Sequence, residues 1–503
     1  MLRRFLHNTA ISAVAYGFAG VLGLLAVGVI ARHYGLAVLG LIVLVRAFLP
    51  TGMLSLIDLG ASEITTQVVA RGRVGDWSVA SEKLSLIAFI AVSTGLASGA
   101  ALWLLAPSLA TIFRVALDQA PAFVSILEVT ALVLPVAFLG LVAEGALKGF
   151  ERYGSLRSTE VVGNVAYVAA VYVCIWQEAP FEWIAYLYLA TTIAKYPVLA
   201  VAIYGASRGT TLRLTSWSVA SRRDILHRCW LMFHSRIGGV LQQTVIPLMI
   251  GAIYSPVEVG SYDLIMRLPR FMKTTMAPLY SAILPISTRI DEMTDTRRME
   301  MLGRSGMVLP AAIVVPVLIV IALFSEQILR IWVGPQYADQ WPWLALALFV
   351  PAVTVMLGAG QAALMVRSDF LRINNRYLYL QVCAQYVVTA LALVWFRERA
   401  FILGWVVSYV VFTPLVAHRM LSFMSLPSSL FWEQVARQAV VAAILTAAVA
   451  AYKMVSSPES LGGLVVVGSV GCIAAWILSV ALILSRRDRA MLGRFARTIT
   501  ERR

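Results

Sequence analysis

Long apolar stretches, separated by short polar connections, recur from one end of the 503-residue chain to the other. A helix needs about 20 mainly apolar residues to cross a hydrocarbon core roughly 30 Å thick, and these stretches meet that requirement. The pattern therefore predicts fourteen transmembrane helices, numbered below as spans in chain order. The spans are 9–30, 37–66, 83–106, 121–147, 157–176, 182–205, 229–253, 258–288, 305–325, 341–366, 374–396, 400–418, 434–453 and 461–485.

The second and eighth spans are the longest, and both contain proline. Span two holds Pro50, and span eight holds Pro269, Pro278 and Pro285. Proline removes a backbone donor, and a long span can tilt, kink or lie partly at the interface. We therefore expect both spans to be bent or partly interfacial.

Composition agrees with an all-α, polytopic membrane protein. Hydrophobic residues make up 60% of the chain and charged residues only 13%, about half the charged fraction of an ordinary soluble domain. The mean hydropathy is +0.81. The longest hydrophilic connections, 206–228 and 289–304, are too short to hold a soluble catalytic domain, so we expect a transporter with no catalytic residue.

The net charge of +15 raises the question of nucleic-acid binding, and the position of the basic residues answers it. Most lysines and arginines lie in alternate connections, on the side of the N-terminus, as the positive-inside rule requires of cytoplasmic loops. This predicts an even number of spans with both termini in the cytoplasm. The basic surface then faces anionic lipid, and nucleic acid is not an expected partner. The opposite side holds Arg32, Arg114, Arg330, Arg397, Arg399 and Lys453.

Neither a cleaved leader nor a cofactor motif is found. The apolar segment after the short basic tail lacks a small-residue cleavage site, so we expect it to be a retained span. Cys174, Cys229, Cys383 and Cys472 lie in or beside spans without metal-ligand spacing, as small buried hydrophobes do. No phosphate-binding GxxxxGK[ST] loop occurs, so energy would come from an ion gradient, the membrane potential or consumption of the product.

An internal duplication is visible at an offset of about 219 residues. It aligns Gly40 with Gly260 and, with a gap, Arg46 with Arg267. Because an even number of spans separates the copies, both should have the same orientation in the membrane. The chain is thus predicted to hold two pseudo-symmetric lobes of six spans and an appended pair. The first lobe is 1–215, the second 216–428, and spans thirteen and fourteen with a basic tail occupy 429–503.

Several basic residues fall inside spans, where an isolated charge costs at least about 2.5 kcal/mol at the helix centre. In span eight, Asp263, Arg267 and Arg270 share an arc of about 60°, with Lys273 about 60° beyond it, and the four residues lie at depths of roughly 8 to 23 Å. Guanidinium groups bind phosphate through paired donors, so an excess of cations at this depth predicts an anionic substrate. The candidate substrate-binding residues are Arg46, Lys195, Arg236, Gln243, Arg267, Arg270 and Lys273.

Internal ion pairing is the alternative for the same residues. Asp263 and Arg267 are four residues apart on one helix and can neutralise each other. Glu144 and Lys148 have the same spacing, and we expect a structural salt bridge there. Asp263, Asp58 and Glu128 are the candidates for gating or for coupling to a proton or sodium gradient, Glu128 because it lies within span four.

Taken in order, several segments resemble the Wzx-type polysaccharide flippases of the multidrug, oligosaccharidyl-lipid and polysaccharide exporter superfamily. They are VIARHYGLAVLG, LIDLGASEITTQVVARGR, IGAIYSPVEVGSYDLIMRL, ILRIWVGPQYADQWPWLALALFVP and QAALMVR. The resemblance covers nearly all of residues 5–485 and implies a fourteen-helix, two-lobed flippase in which spans 1, 2, 7 and 8 line a cationic cavity.

The resemblance also implies the cargo. An undecaprenyl-pyrophosphate-linked oligosaccharide would pass from the cytoplasmic to the outer leaflet by alternating access, supplying O-antigen or exopolysaccharide synthesis, with a polymerase and a chain-length regulator as partners. In the similar lipid II flippases, arginines on corresponding spans are thought to hold the pyrophosphate, and Arg46 and Arg267 match by position. Relatives couple to ion gradients, but no residue here identifies the ion.

Two other functions stay open. A cation-coupled multidrug exporter would share the fold, although cationic drugs favour an acidic cavity and spans two and eight are rich in arginine. A membrane polysaccharide polymerase or ligase would resemble chains with a large outer loop, and the outer connections here are short.

Overall fold

The computed structural model describes residues 2–73, 77–207, 217–281, 283, 287, 296–365, 367–456, 458 and 460–484. Within these ranges the chain is all-helical, without a β-strand. The α-helices, numbered here in chain order, are α1 Leu2–His33, α2 Gly35–Ala47, α3 Ala61–Gly72, α4 Trp77–Ile112, α5 Ala120–Gly149, α6 Tyr153–Trp176, α7 Glu182–Ser207, α8 Val219–Gly239, α9 Val245–Ile253, α10 Pro256–Ser281, α11 Thr296–Leu323, α12 Ser325–Trp332, α13 Trp341–Ala347, α14 Phe349–Leu364, α15 Ser368–Phe396, α16 Ala400–Phe423, α17 Ser429–Val455 and α18 Leu461–Leu482.

Every predicted span overlaps at least one of these helices, which confirms the all-α membrane architecture. Ten helical stretches of the described residues are long and apolar enough to cross a membrane, and α2 is a shorter apolar helix. The charged α10 is not among the ten. The protein is therefore a multi-pass membrane protein.

Span two is interrupted, as its proline predicted. α2 ends at Ala47, a short 3-10 turn covers Met53–Leu56, and α3 starts at Ala61. Gly60 takes a left-handed φ of 75°, and its N–H donates to Asp58 Oδ1 at 2.7 Å, so the turn that starts α3 is fixed locally. In span eight, α10 continues as one helix through Pro269 to Ser281, and Pro285 lies outside the described residues. A bent or partly interfacial span eight stays a prediction.

Span seven changes helix type near its middle. α8 ends at Gly239, a π-helical turn covers Val240–Thr244, and α9 follows. Pro247 lies three residues after this turn and has no N–H to donate to the carbonyl of Gln243, while its ring would clash with that carbonyl in an ideal helix. The wider π turn accommodates the proline and places Gln243 on an irregular part of the helix.

The chain divides into two compact units, 1–264 and 265–503. The division falls inside α10, whereas the internal duplication divides the chain near residue 215. The boundaries of the two lobes and of the appended pair therefore stay a prediction, and the two units are described separately.

Gly40 and Gly260, aligned by the duplication, contact each other within the first unit. A Cβ on Gly40 would lie 1.8 Å from the carbonyl oxygen of Pro256, and one on Gly260 would lie 2.1 Å from that of Leu36. The backbones of α2 and α10 therefore touch where both helices lack a side chain. Such close crossings at small residues are typical of helix packing in membranes.

The start of α8 is attached to α4 by charged and polar contacts. Lys83 forms an ion pair with Asp224 at 2.6 Å, and Trp217 Nε1 donates to Ser85 Oγ at 2.9 Å. These contacts hold the beginning of α8 within the first unit.

An ion-pair network joins α8 to the interrupted span two. Arg236 contacts the carboxylates of Asp58 and Glu63, the latter at 2.7 Å, and donates to the carbonyl oxygen of Ser55 at 3.0 Å. The Asp58 side chain is 5% exposed and that of Glu63 is 50% exposed. Because Asp58 also accepts from Gly60, it is the central member of the network.

In the second unit, α17 and α18 pack on α11. Gln438 donates to the carbonyl of Ala311 at 3.1 Å, Ser479 to that of Ala312 at 2.7 Å, and Trp476 to that of Ile313 at 2.7 Å. Side chains that donate hydrogen bonds to backbone carbonyls of a neighbouring helix hold the helices together in apolar surroundings. A methionine-rich core between α11, α14 and α16 includes Met307, Met356 and Met420.

The glycine crossing generates the first prediction. The Gly40→Ala variant should lose about 1 to 3 kcal/mol of stability, because the atom it meets is backbone and both helices must move apart. Thermal unfolding of the purified protein in detergent measures this loss. The matched control is Gly468→Ala in α18, where a Cβ meets nothing within 4 Å. An equal fall in unfolding temperature for both variants would show that the crossing is not tight.

The ion-pair network around Arg236 generates the second prediction, which concerns the free energy of unfolding. We expect Asp58→Asn to cost about 1.5 to 3 kcal/mol, since it weakens charged hydrogen bonds between a buried carboxylate and a half-buried guanidinium, and Glu63→Gln at most about 1 kcal/mol, since that pair is exposed. The free energy of unfolding is measured for both variants, for Arg236→Gln and for each variant combined with Arg236→Gln. These values give the coupling energy of Arg236 with each carboxylate. A coupling to Glu63 as large as that to Asp58 would contradict this assignment.

Candidate functional site

Arg46 lies in the last turn of α2, among aromatic rings of α6 and α7. Its guanidinium carbon is 4.1 Å from the centroid of the Tyr188 ring and 5.7 Å from that of Tyr167. The two rings pack edge to face at 5.3 Å. Cation–π contacts stabilise a guanidinium without neutralising its charge, so Arg46 remains a cation that can bind an anion.

The fixed charges near Arg46 are few. Asp263, on α10 and 1% exposed, interacts electrostatically with Arg46. Yet the Nε of Arg46 is buried and has no hydrogen-bond partner among the residues that the structure describes. A buried N–H without a partner costs free energy, and a ligand oxygen would recover that cost.

Lys195, on α7, is paired inside the first unit. Its ammonium lies 2.7 Å from Glu144 of α5 and 5.1 Å from the centroid of Tyr196. The predicted pair between Glu144 and Lys148 is wrong, because Glu144 points to α7 and Lys148 donates to Ser62 Oγ at 3.0 Å. Glu144 therefore pairs with a lysine at the same depth on another helix, and not with the lysine four residues later on its own helix.

Arg236 and Asp58, predicted as a substrate ligand and a gating group, contact each other. Arg236 therefore already has two carboxylates and a carbonyl around it. Gln243 is half-buried on the π turn. Their roles in transport stay predictions.

The basic residues of α10 belong to the second unit. Arg267, Arg270 and Lys273 are all half-buried. Lys273 donates to the hydroxyl of Tyr409 on α16 at 2.9 Å, with its ammonium 5.3 Å from the ring centroid. This partner accounts for part of the burial of Lys273, whereas binding by Arg267 and Arg270 stays a prediction.

Glu128 is half-buried on α5. It has no ion pair or hydrogen bond with any residue within the described ranges. No group of three potential metal ligands occurs within those ranges either.

Reasoning from the sequence missed the tyrosines around Arg46 and the pairing of Lys195. Tyr167 and Tyr188 are 121 and 142 positions after Arg46, so no local spacing indicates the contact. The depths of Glu144 and Lys195 in neighbouring spans did carry a signal, because opposite charges at equal depth tend to pair inside a membrane.

Solved membrane transporters share this architecture. The lipid II flippase MurJ, in an inward-closed conformation, aligns with 94% of this chain and 98% of its own, with a TM-score of 0.71 and 11% identity. An inward-facing multidrug resistance transporter of the MATE family, from the MOP superfamily, aligns with 82% of this chain and 94% of its own, with a TM-score of 0.63 and 14% identity. A eukaryotic MATE transporter gives a TM-score of 0.52 at 14% identity, over 86% of this chain and all of its own. At such identities the likeness shows a shared fold.

Sequence comparison identifies the family. No curated protein sequence gives a significant match. A family model described as polysaccharide biosynthesis protein matches residues 75–342, which is more than half of the chain. The protein therefore belongs to the polysaccharide biosynthesis protein family and has the fold of the MurJ and MATE transporters.

Proposed function

We propose that this protein is a flippase for lipid-linked oligosaccharide. It moves an undecaprenyl-pyrophosphate-linked oligosaccharide from the cytoplasmic to the outer leaflet of the bacterial inner membrane, with both termini in the cytoplasm. The product supplies synthesis of a surface polysaccharide such as O-antigen or exopolysaccharide. A polymerase that consumes the flipped unit and a chain-length regulator are its functional partners.

The observation that supports this proposal most directly is Arg46. It is a guanidinium inside a membrane protein of a polysaccharide biosynthesis family, held by two tyrosine rings and with a buried Nε that has no partner within the described ranges. A pyrophosphate oxygen accepts strongly from a guanidinium, and the low dielectric of the site strengthens this bond. The nearby Asp263 moderates the charge, so the phosphate can leave after transport.

Transport follows alternating access. The pyrophosphate binds to Arg46 in a conformation open to the cytoplasm, with Arg267 and Arg270 as the further proposed phosphate ligands. A conformational change then opens the site to the other side, while the polyprenyl tail remains in the bilayer. The release step requires that binding be weaker in the outward-open state, because a ligand with equal affinity for both states cannot shift the equilibrium.

Substitution of Arg46 is the third prediction. Arg46→Gln should lower transport of fluorescent lipid-linked oligosaccharide in proteoliposomes by about 10- to 100-fold, since charged hydrogen bonds contribute about 1.5 to 3 kcal/mol. Arg46→Lys should have an intermediate effect, because lysine keeps the charge and lacks the planar fork of donors.

The matched control is Arg223→Gln, which removes an exposed arginine at the start of α8. Wild-type transport by Arg46→Gln, at normal expression, would contradict the assignment. Export of organic cations with no transport of lipid-linked oligosaccharide would instead favour the multidrug exporter. Polymerised glycan made by the purified protein would favour the polymerase.

We also propose that an ion gradient drives the cycle through Glu128. Glu128 is a half-buried carboxyl without a basic partner within the described ranges, so it can serve as a ligand for a coupling ion. The fourth prediction is that Glu128→Gln abolishes acceleration by an imposed proton or sodium gradient and leaves slow equilibration of the lipid between leaflets. The proteoliposome assay with and without each gradient measures this. Unchanged acceleration in Glu128→Gln would exclude this residue as the coupling site.

A further inference from the structure

A cavity of about 160 Å³, lined by both polar and apolar side chains, lies within the first unit. Helices α5, α6 and α7 form most of its wall, and Pro50 and Thr51, in the interruption of span two, complete it. The polar side chains of this wall need hydrogen-bond partners, which a polar occupant can supply.

Both carboxylates of the cavity wall are paired with a cation. Glu144 faces Lys195, which is also in the wall, at 2.7 Å, and Glu160 is paired with Arg157, which lies on α6 outside the wall. Neither carboxylate therefore needs a cationic ligand. A site with balanced charges favours neither an anion nor a cation, and suits a neutral, polar ligand.

The polar side chains of the wall keep hydrogen-bonding capacity for such a ligand. The hydroxyls of Thr191 and Thr192 donate to the carbonyl oxygen of Tyr188, at 3.0 and 2.8 Å, so their lone pairs are left to accept. Asn164 donates one amide hydrogen to the carbonyl of Glu160 at 3.0 Å and keeps its side-chain oxygen and second hydrogen. Acceptors and donors interleaved with tyrosine rings match the hydroxyl groups and apolar ring face of a sugar.

The size of the cavity suits a small ligand. Its volume of about 160 Å³ gives room for a group the size of a single sugar ring.

The cavity and the surroundings of Arg46 share two residues. Tyr167 and Tyr188 belong to the cavity wall, and their rings are the ones that contact the guanidinium of Arg46. A phosphate bound to Arg46 would therefore have its first attached group beside these rings.

We propose that the cavity is a saccharide subsite, which binds the sugar joined directly to the pyrophosphate. The inference rests on the proposed function, since it assumes that the phosphate of a lipid-linked oligosaccharide binds at Arg46. The subsite adds a source of specificity. The protein recognises one neutral sugar through hydrogen bonds with Thr191, Thr192 and Asn164, and it binds the lipid carrier outside this cavity.

The fifth prediction compares two lipids on the full-length protein in nanodiscs. The probes are undecaprenyl pyrophosphate without sugar, and the undecaprenyl-pyrophosphate-linked oligosaccharide purified from cells that make this protein. The wild type should bind the glycosylated lipid more tightly. The Thr191→Val/Thr192→Val double variant should lose about tenfold in affinity for the glycosylated lipid, as the loss of one to two hydrogen bonds implies, and should bind undecaprenyl pyrophosphate as the wild type does.

Three variants serve as controls. Thr191→Ser/Thr192→Ser keeps both hydroxyls and should keep wild-type affinity. Thr446→Val removes an exposed hydroxyl from α17 that makes the same kind of bond to its own helix, and should change neither affinity. If the valine variant does not fold, Asn164→Ala provides the same comparison, and binding of undecaprenyl pyrophosphate reports that each variant is intact.

Equal affinity of the wild type for both lipids would overturn the saccharide subsite and leave the proposed function in place. Equal weakening of both lipids by the valine substitutions would overturn the subsite as well. Failure of the wild type to bind either lipid would overturn the proposed function and the subsite together.

Discussion

The cost of placing a charge away from water decides how the polar residues of this protein are arranged. Each basic side chain inside a span needs a partner, because hydrocarbon offers none. The first unit meets this need in two ways. Carboxylates neutralise Lys195 and Arg236, whereas tyrosine rings surround Arg46. The difference separates residues that are already satisfied from one that can still bind a substrate.

The type of partner separates the basic residues of the predicted cationic site into those already paired with a carboxylate and those without such a pair. A lysine paired at 2.7 Å, such as Lys195, would have to break an ion pair before it could bind phosphate, and breaking a buried pair is costly. Arg46 has no ion pair of this kind to break, because its contact with a ring face loses little when the edge of the guanidinium also donates to a phosphate. Lys273 is intermediate, since its hydroxyl partner is neutral and easily exchanged. Within the first unit, partner chemistry therefore distinguishes Arg46, the proposed phosphate ligand, from Lys195 and Arg236, which are paired with carboxylates.

Much of the fold could be predicted from the sequence, because the bilayer fixes the length of an apolar helix and proline marks its interruptions. The break at Pro50 follows from local chemistry alone, and α3 restarts at Gly60, where the backbone is left-handed. The pair formed by Glu144 could not be read from helix spacing, because an equally spaced Lys148 competed with Lys195 on a neighbouring helix. α10 also remained helical through Pro269, since tertiary packing can hold a helix across a proline in a membrane.

The contact between Gly40 and Gly260 connects the sequence duplication with the chemistry of the site. Two aligned glycines that each lack a Cβ let the backbones of α2 and α10 touch, and this contact lies six residues before Arg46 on α2 and three before Asp263 on α10. A crossing this close fixes the depth of both charged residues relative to each other within the first unit, which explains how Asp263 comes within electrostatic reach of Arg46. The aligned glycines therefore matter for more than packing, because their contact also sets the relative depth of Asp263 and Arg46.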